Sequence, residues 1–294
     1  MNKNRILLLS LYILLSFISL FSFKSMESQT YNKLKSDIQL KGNQLYPSWK
    51  SNGKFLVFQT DSSGNWDIAV WDVDNKLIKI VANSIYPEQH PQWVPGKNAI
   101  VYDLTKNFEP QLYETDLLNG KSNRVFNRKI KAKQPSFSST RQLIVFSGKT
   151  DFDNYWKIYS YDLNYDNLNL LISANGNVDF PLFSPKGNRI VFLQQSPLKK
   201  QFFMISNWYG REKTNLHTGR GKPAWSSDGW RIFYADKNGL NWSVYSVRED
   251  GTGIQEIYTS SNALKCPAPS PNGKFLAFSE KINDIWKIKI IQLQ

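Results

Sequence analysis

The sequence predicts an all-β fold, a six-bladed β-propeller whose blades are four-stranded antiparallel sheets. A proline-led motif recurs six times along the 294 residues, at intervals of 44, 44, 46, 42 and 44. Each copy alternates short β-rich runs with turn residues, and no long amphipathic pattern typical of a helix separates them. A fixed period of this length indicates a repeat architecture rather than a series of unrelated domains.

The six copies share a proline, a tight polar turn and an apolar run. They start at Pro47 (PSWKSNGKFLVF), Pro91 (PQWVPGKNAIVY), Pro135 (PSFSSTRQLIVF), Pro181 (PLFSPKGNRIVF), Pro223 (PAWSSDGWRIFY) and Pro267 (PAPSPNGKFLAF). We expect each proline to begin the innermost strand of a blade, where its missing N–H does least harm to a ladder. The aromatic residue two places later shares its face. These residues are Trp49, Trp93, Phe137, Phe183 and Trp225.

The remaining strands of a blade follow in order. A turn such as Ser51-Asn52-Gly53 leads to a second strand that is apolar on both faces and must therefore be covered on both. The third strand begins 21 to 23 residues after the proline, at Ile68, Leu112, Ile158, Val244 and Ile288, and less clearly near Phe203 in the fourth copy. A fourth strand follows, such as Leu77 to Val81. Such small sheets are marginal alone, so we expect them to cover one another around a common axis.

Closure of the ring requires a strand from the N-terminal side. The last copy reaches the end of the sequence after its third strand, Trp286 to Leu293. A β-like stretch, Leu34 to Leu40, precedes the first proline. We expect this N-terminal strand to complete the last blade, so that residues 31–294 form the closed propeller.

Residues 1–30 differ in kind from the repeats. Lys3 and Arg5 precede an uncharged run from Ile6 to Phe23, which is slightly long for the apolar region of a signal peptide and barely long enough for a membrane span. A small-x-small cleavage site is missing, so a signal peptide and an N-terminal membrane anchor both remain open. Either one predicts a periplasmic or otherwise extracytoplasmic propeller. Cys266 is the single cysteine, which excludes an intramolecular disulfide.

The chain is basic, with 37 Lys and Arg against 24 Asp and Glu and a net charge of +13. The charge is concentrated in two stretches, one with Lys121, Arg124, Arg128, Lys129, Lys131 and Lys133, the other with Arg211, Lys213, Arg220 and Lys222. Lysines can protect exposed blade edges from pairing with other strands. They can also attract an acidic protein, an anionic glycan or anionic lipid. Nucleic acid is not an expected partner, because export would separate the protein from it.

Motifs for catalysis and metal binding are missing. Neither H-E-x-x-H nor G-x-S-x-G occurs, and His90 and His217 have no metal-like spacing to Cys, Asp or Glu. The stretch at 151–154 begins like a calcium loop, but Trp156 occupies the place that needs glycine. We therefore expect no catalytic residue, no metal site and no cofactor.

The residues just before the six prolines are the candidate functional positions. They are Tyr46, His90, Gln134, Phe180, Lys222 and Cys266. They belong to equivalent places near the central channel, yet they differ from one another, as binding residues on a repeat scaffold do. They either fill the channel mouth or contact a partner. The residues that we predict to bind a partner are Tyr46, His90, Gln134, Asp179, Phe180, Lys222 and Lys265.

The repeat unit P-x-[WF]-S-x-x-G-[KNW]-x-[IL]-x-[FY] resembles the TolB-type β-propeller repeat. The likeness is fullest in PLFSPKGNRIVF and PAWSSDGWRIFY and extends over about residues 31–294. It implies an envelope protein or lipoprotein partner that docks on the face carrying the loops before each proline. TolB-type proteins also carry an α/β domain ahead of the propeller. Here the apolar segment leads almost directly into the repeats, so a TolB-like propeller without that domain is expected.

Two functions follow from these observations. The first is a non-catalytic extracytoplasmic scaffold that binds a protein or envelope component through the loops preceding each proline. The alternative is a propeller-based enzyme acting on acidic polysaccharide, as a lyase or hydrolase, because related propellers also occur in some polysaccharide lyases and proteases. A lyase would need His, Gln, Arg or metal ligands converging at the channel mouth.

Overall fold

The computed structural model describes residues 38–293, and in that range the regular structure consists of β-strands in six antiparallel sheets. The predicted all-β, six-bladed fold is confirmed. Five sheets have four strands, and the sixth has three in the described residues. Each sheet follows chain order, so that every strand pairs with its sequence neighbour.

The strands of the first three blades are as follows. Blade one has β1 (Gln44–Trp49), β2 (Phe55–Thr60), β3 (Asp67–Asp72) and β4 (Leu77–Ala82). Blade two has β5 (Glu88–Trp93), β6 (Ala99–Lys106), β7 (Glu109–Asp116) and β8 (Ser122–Arg124). Blade three has β9 (Lys131–Phe137), β10 (Leu143–Lys149), β11 (Lys157–Asp162) and β12 (Asn167–Ile172).

The second half repeats the arrangement. Blade four has β13 (Val178–Phe183), β14 (Arg189–Gln195), β15 (Gln201–Asn207) and β16 (Thr214–Thr218). Blade five has β17 (Arg220–Trp225), β18 (Arg231–Asn238), β19 (Asn241–Arg248) and β20 (Gln255–Ser260). Blade six has β21 (Leu264–Pro269), β22 (Phe275–Ile282) and β23 (Ile285–Gln292).

The repeat proline does not begin the innermost strand, contrary to expectation. In β1 the strand starts at Gln44, and its ladder to β2 pairs Leu45 with Gln59 and then Ser48 with Val57. Tyr46 and Pro47 are skipped by a β-bulge. The same interruption occurs in the innermost strand of all six blades. Since proline has no N–H to donate, a bulge at this point lets the strand continue past it.

The core lies between adjacent blades rather than within one sheet. The second strands supply fully buried residues on both faces, as predicted from their unbroken apolar runs; in β2 Leu56, Val57 and Phe58 are all inaccessible to solvent. Leu56 and Phe58 pack toward Ile288 and Ile290 of blade six. Val57 packs with Ile100 of blade two. Each sheet is therefore covered by its two neighbours, which is what its composition requires.

The seam between the last and first blades bears on the predicted closure. Ile38 is buried in one cluster with Ile288 and Ile290, although residues 38–40 are not in a strand. The rest of the stretch predicted as the closing strand, 34–37, and the predicted leader or anchor at 1–30 lie outside the described residues. Within 38–293 there is no helix with the length and apolar character that crossing a bilayer requires.

Candidate functional site

All six candidate positions lie inside the innermost strands, near the strand beginnings, and not in loops before the prolines as expected from the sequence. In blade one Gln44 at the start of β1 pairs with Thr60 at the end of β2, and Thr60 also pairs with Asp67 across the β2–β3 hairpin. The beginning of an innermost strand therefore lies beside the hairpin between the second and third strands. We call the side that carries these hairpins and strand beginnings the proline-side face.

The residue before the proline has left-handed backbone in five blades. Tyr46, His90, Gln134, Phe180 and Cys266 have φ between 53° and 57°. Blade five differs, because Gly221 takes the positive φ of 74° and the bulge there holds one residue more, between Arg220 and Ala224. Left-handed backbone costs a non-glycine residue roughly 1 kcal/mol or more. The structure retains it at equivalent points around the ring, where a bulge re-aims the side chain.

Three of these side chains meet across the axis. The rings of Tyr46 and His90 are edge-to-face with centroids 4.4 Å apart. Phe180 stacks on Tyr46 at 6.0 Å and contacts His90 edgewise at 5.9 Å. Blades one and four are opposite one another in a ring of six, so a contact between Tyr46 and Phe180 spans the axis. The rings of Tyr46, His90 and Phe180 fill the channel at this level, and we call them the aromatic plug.

A buried hydrogen-bond network holds residues of the plug in place. Asp103, which is 2 % exposed, lies 2.9 Å from the Nδ1 atom of His90 and accepts the backbone N–H of Gln134 at 2.8 Å. The Gln134 side-chain oxygen in turn accepts the Ser147 hydroxyl at 2.8 Å and the Phe180 N–H at 3.0 Å. These bonds connect blades two, three and four and satisfy the N–H groups that the bulges free.

Lys222 and Cys266 occupy the other side of the plug. Burial lowers the pKa of Lys222 to about 8, and the neighbouring thiol of Cys266 opposes that shift only in part. Burial raises the pKa of Cys266 to about 11, against the opposing effects of Lys222 and Lys265. Burial also raises the pKa of Tyr46 well above its usual value, assisted by Cys266 and by the carboxylates of Asp103 and Asp179. At neutral pH the phenol and the thiol are uncharged, and the ammonium of Lys222 carries the charge on this side.

The space among these side chains is small. A cavity at the plug is lined by His90, Gln134, Phe180 and Lys222 together with Gln92 and three neighbouring residues. Its volume of about 10 Å³ is room for about one water molecule. This cavity therefore does not enclose a ligand larger than a water molecule.

Two predicted residues stand apart from the plug. Asp179 forms an ion pair with Lys133 at 3.0 Å, and Lys133 lies over the ring of Trp156 at 4.2 Å. Lys265 is exposed and lies over the ring of Trp286 at 4.5 Å. The predicted set therefore divides into an axial cluster, Tyr46, His90, Gln134, Phe180 and Lys222, and two residues at its rim. Gln134 is only 7 % exposed, so it offers little surface to a partner directly. It contributes mainly by accepting the N–H of Phe180 and so holding that residue in place.

Sequence reasoning missed the residues that hold the cluster. Asp103 and Gln59 lie twelve residues after their prolines, and each accepts the N–H of the next blade's pre-proline residue, at 2.8 Å to Gln134 and 3.0 Å to His90. The signal was present, because a carboxylate or amide in an otherwise apolar second strand needs a partner. Aligning the six copies shows the polar residue at that position in some blades, although not which N–H it accepts.

Within 38–293 no group of three or more His, Cys, Asp or Glu side chains is placed to hold a metal ion. The chain matches the family described as the TolB beta propeller domain over residues 18–227. It belongs to the TolB β-propeller family. The matched range includes the first four of the six proline-led copies and the start of the fifth.

Individual relatives are more distant. The Tol-Pal system protein TolB of Francisella tularensis subsp. holarctica (strain OSU18) is 24 % identical over 234 residues, which are 76 % of this chain and 54 % of that protein. The chain thus spans about half the length of the curated relatives it matches. The crystal structure of TolB from Acinetobacter baumannii superposes with a TM-score of 0.67 at 17 % identity, over 77 % of this chain and 57 % of that one.

The same architecture also occurs in an enzyme. An oligogalacturonate lyase in complex with manganese superposes with a TM-score of 0.62 at 12 % identity, over 89 % of this chain and 92 % of that one. At these identities the likeness to both solved structures shows the fold alone. Function must therefore be argued from the side chains of this chain.

Proposed function

We propose that this TolB-like propeller is a non-catalytic scaffold on the extracytoplasmic side of a membrane, in the bacterial periplasm, and that it binds an envelope protein at the axial cluster. The observation that carries the proposal is the cluster itself. Five strained backbone positions and a buried polar network present an aromatic plug beside Lys222 on one face. Strain of this kind is retained where it positions groups for function.

Several features favour binding over catalysis. The cavity at the plug has room for about one water, so a sugar ring would have to lie above it. The Cys266 thiol, with a pKa of about 11, is protonated at neutral pH and is a poor nucleophile. Tyr46 and Phe180, in contrast, present aromatic surfaces, and aromatic residues are enriched at protein interfaces.

The relatives suggest the kind of partner. The curated ones are described as Tol-Pal system proteins, and the family resemblance implies a lipoprotein on the face that carries the pre-proline residues. A partner that inserts an acidic side chain next to Lys222 would remove the penalty of that partly buried charge. We therefore expect a Pal-type lipoprotein from the same organism to bind with an acidic group near Lys222.

The test replaces Lys222 by Glu and His90 by Ala in one variant. A photo-reactive residue at position 180 should cross-link the lipoprotein in the otherwise unchanged chain and lose most of that product in the double variant. The matched control carries Lys274→Glu and Tyr165→Ala on the opposite face and should cross-link as before. Circular dichroism and melting curves must show both variants folded. Equal cross-linking by the folded double variant would contradict the proposal.

A further inference from the structure

A second site lies at the outer rim of the proline-side face, between blades two and three, and it uses none of the axial cluster. A groove of about 300 Å³ runs between the edge of blade two and the β10–β11 hairpin of blade three. Its cationic side chains are Arg124, Arg128, Lys129, Lys131 and Lys149, and its carboxylates are Glu109 and Asp151. The groove thus holds five cations and two anions.

The anions nearby do not neutralise all of the cations. Lys129 and Lys131 face Asp151 and Glu109 at 3.5 and 3.8 Å, and Arg128 pairs with Asp166 at 2.8 Å. These pairs are well exposed and therefore weak.

Two further cations of the groove are held by neutral acceptors. Arg124 donates to the Gln111 side chain, to the Arg128 carbonyl and to the Asn127 amide. Lys149 donates to the carbonyl of Asn154 at 3.1 Å. Their positive charge is available to an anionic ligand.

Two phenylalanines project beside this groove. Phe108 immediately precedes Glu109 and is 94 % exposed, while Phe152 immediately follows Asp151 and is 98 % exposed. Both side chains are at hairpin tips on the proline-side face, one on each bordering blade. Tips of this kind ordinarily carry small polar residues.

The backbone conformation at Phe108 is also unfavourable. Asn107 and Phe108 both have positive φ, 52° and 64°, as in the two-residue turn that prefers Asn-Gly. A bulky residue in place of that glycine is strained, and here its whole ring is also in water. Phe108 combines a strained backbone with a fully exposed ring in the free protein. This combination indicates that another surface covers the ring when the protein is bound.

We propose that this rim site docks on a bilayer containing anionic phospholipid, with Phe108 and Phe152 inserted at the interface and the lipid phosphates in the groove around Arg124 and Lys149. Aromatic residues favour the bilayer interface, and basic residues nearby are attracted to anionic headgroups. A protein partner would favour a contiguous apolar centre surrounded by a polar rim. These rings instead project from two separate tips with charge between them, which is the pattern of interfacial insertion.

The experiment follows the surroundings of each hairpin tip separately. Membrane binding through the apolar segment at residues 6–23 is then not mistaken for docking of the rim site. Cys266, the single cysteine, is buried, which allows Phe108→Cys and Phe152→Cys to be labelled with a polarity-sensitive fluorophore. Both labels should move into an apolar environment with vesicles of phosphatidylcholine and phosphatidylglycerol, and not with phosphatidylcholine alone.

The matched controls are Leu118→Cys and Tyr165→Cys. They are 82 % and 81 % exposed at turns of the same two blades on the opposite face, and their labels should stay in water. Labels that respond alike on both faces, or not at all, would overturn the proposal.

Charge removal gives the second measurement. Each of Arg124→Gln and Lys149→Gln should weaken vesicle binding of the labelled tips about fivefold, since one cation near an anionic surface contributes about 1 kcal/mol. Lys213→Gln and Lys274→Gln on the opposite face should change it little. Inorganic phosphate serves as the soluble probe: if it binds the groove while the tips ignore anionic vesicles, the lipid assignment is wrong. Loss of vesicle docking would leave the Lys222 cross-link intact, so the two proposals fail separately.

Discussion

Lys222 connects the stability of the fold with the binding site that we propose. Its ammonium group is partly buried beside Cys266 and aromatic rings, and the structure shows no carboxylate within ion-pair distance of it among residues 38–293. Burial holds its pKa at about 8, below the roughly 10.4 of an unfolded lysine. Because burial disfavours the charged form of Lys222, this residue lowers the free energy of unfolding at neutral pH. This unfavourable burial is one reason why we propose Lys222 as a binding residue.

The pH dependence of this penalty gives a testable sign. Between about pH 8 and about pH 10.4 the unfolded chain binds more protons at this site than the folded chain, so stability contributed by Lys222 rises with pH. Below that window the penalty is complete, at most about 3 kcal/mol and less because the side chain is partly exposed. We expect Lys222→Met to raise the free energy of unfolding by about 2 kcal/mol at neutral pH, with the gain vanishing at high pH.

Urea unfolding at several pH values measures this. Lys213→Met is the control, because that lysine is exposed and should give no pH-dependent difference. A gain that grows with pH, or a loss of stability at neutral pH, would contradict the account of Lys222 as a desolvated cation.

At the scale of elements, the innermost strands are tied together by the repeat tryptophans. The indole N–H of Trp93 donates to the carbonyl of Ser48 in the preceding blade at 3.1 Å. Trp225 makes the equivalent bond to Leu182 at 3.0 Å, and Trp49 makes it to Ala268 at 2.9 Å. The sequence showed an aromatic residue two places after five of the six prolines. It did not indicate that the three tryptophans also donate a bond that phenylalanine at the same place cannot make.

We expect Trp93→Phe to lower the free energy of unfolding by about 1 kcal/mol, since it keeps most of the ring and removes one partly buried hydrogen bond. Chemical denaturation followed by circular dichroism measures the change. Trp230→Phe is the control, because Trp230 is 57 % exposed and, among the described residues, its indole N–H makes no hydrogen bond. Phenylalanine keeps an aromatic ring under Lys186 of blade four, which lies 4.5 Å from the Trp230 ring centroid. Equal effects of the two substitutions would show that the bond between blades one and two contributes nothing.

For the whole molecule, the period of the prolines was sufficient to predict six blades and the order of their strands. The repeated proline, turn and apolar strand can be recognised in a single sequence, because each copy must bury the same faces of its sheet. The bulge at Tyr46 was not visible, since it arises from how a strand accommodates a proline in mid-ladder. The bonds from Asp103 to His90 and Gln134 were also not predicted. They connect blades two and three, and although a carboxylate in an apolar strand can be seen in the sequence, its partners depend on distances that no local pattern encodes.

Closure of the ring is likewise a property of the whole molecule. Blades six and one share Ile38 in their core, and the seam also holds two side-chain bonds to β23. The backbone N–H of Ile288 donates to the Gln44 side chain at 3.1 Å, and that of Trp286 donates to Asn43 at 2.9 Å. The Gln44 amide donates in turn to the carbonyl of Leu40 at 2.9 Å. A fully buried amide thus connects the segment before β1, the first blade and the last.

Gln44→Ala should therefore destabilise the ring more than an ordinary polar substitution. It leaves the Ile288 N–H and the Leu40 carbonyl without this partner, which costs about 1 to 3 kcal/mol, and it leaves a small void beside Ile38. Gln39→Ala, an exposed glutamine in the same segment, should change stability little. Hydrogen exchange locates the effect: protection should fall first in β23 and β1, and a uniform fall over all six blades would mean that the seam is not the place where the ring opens.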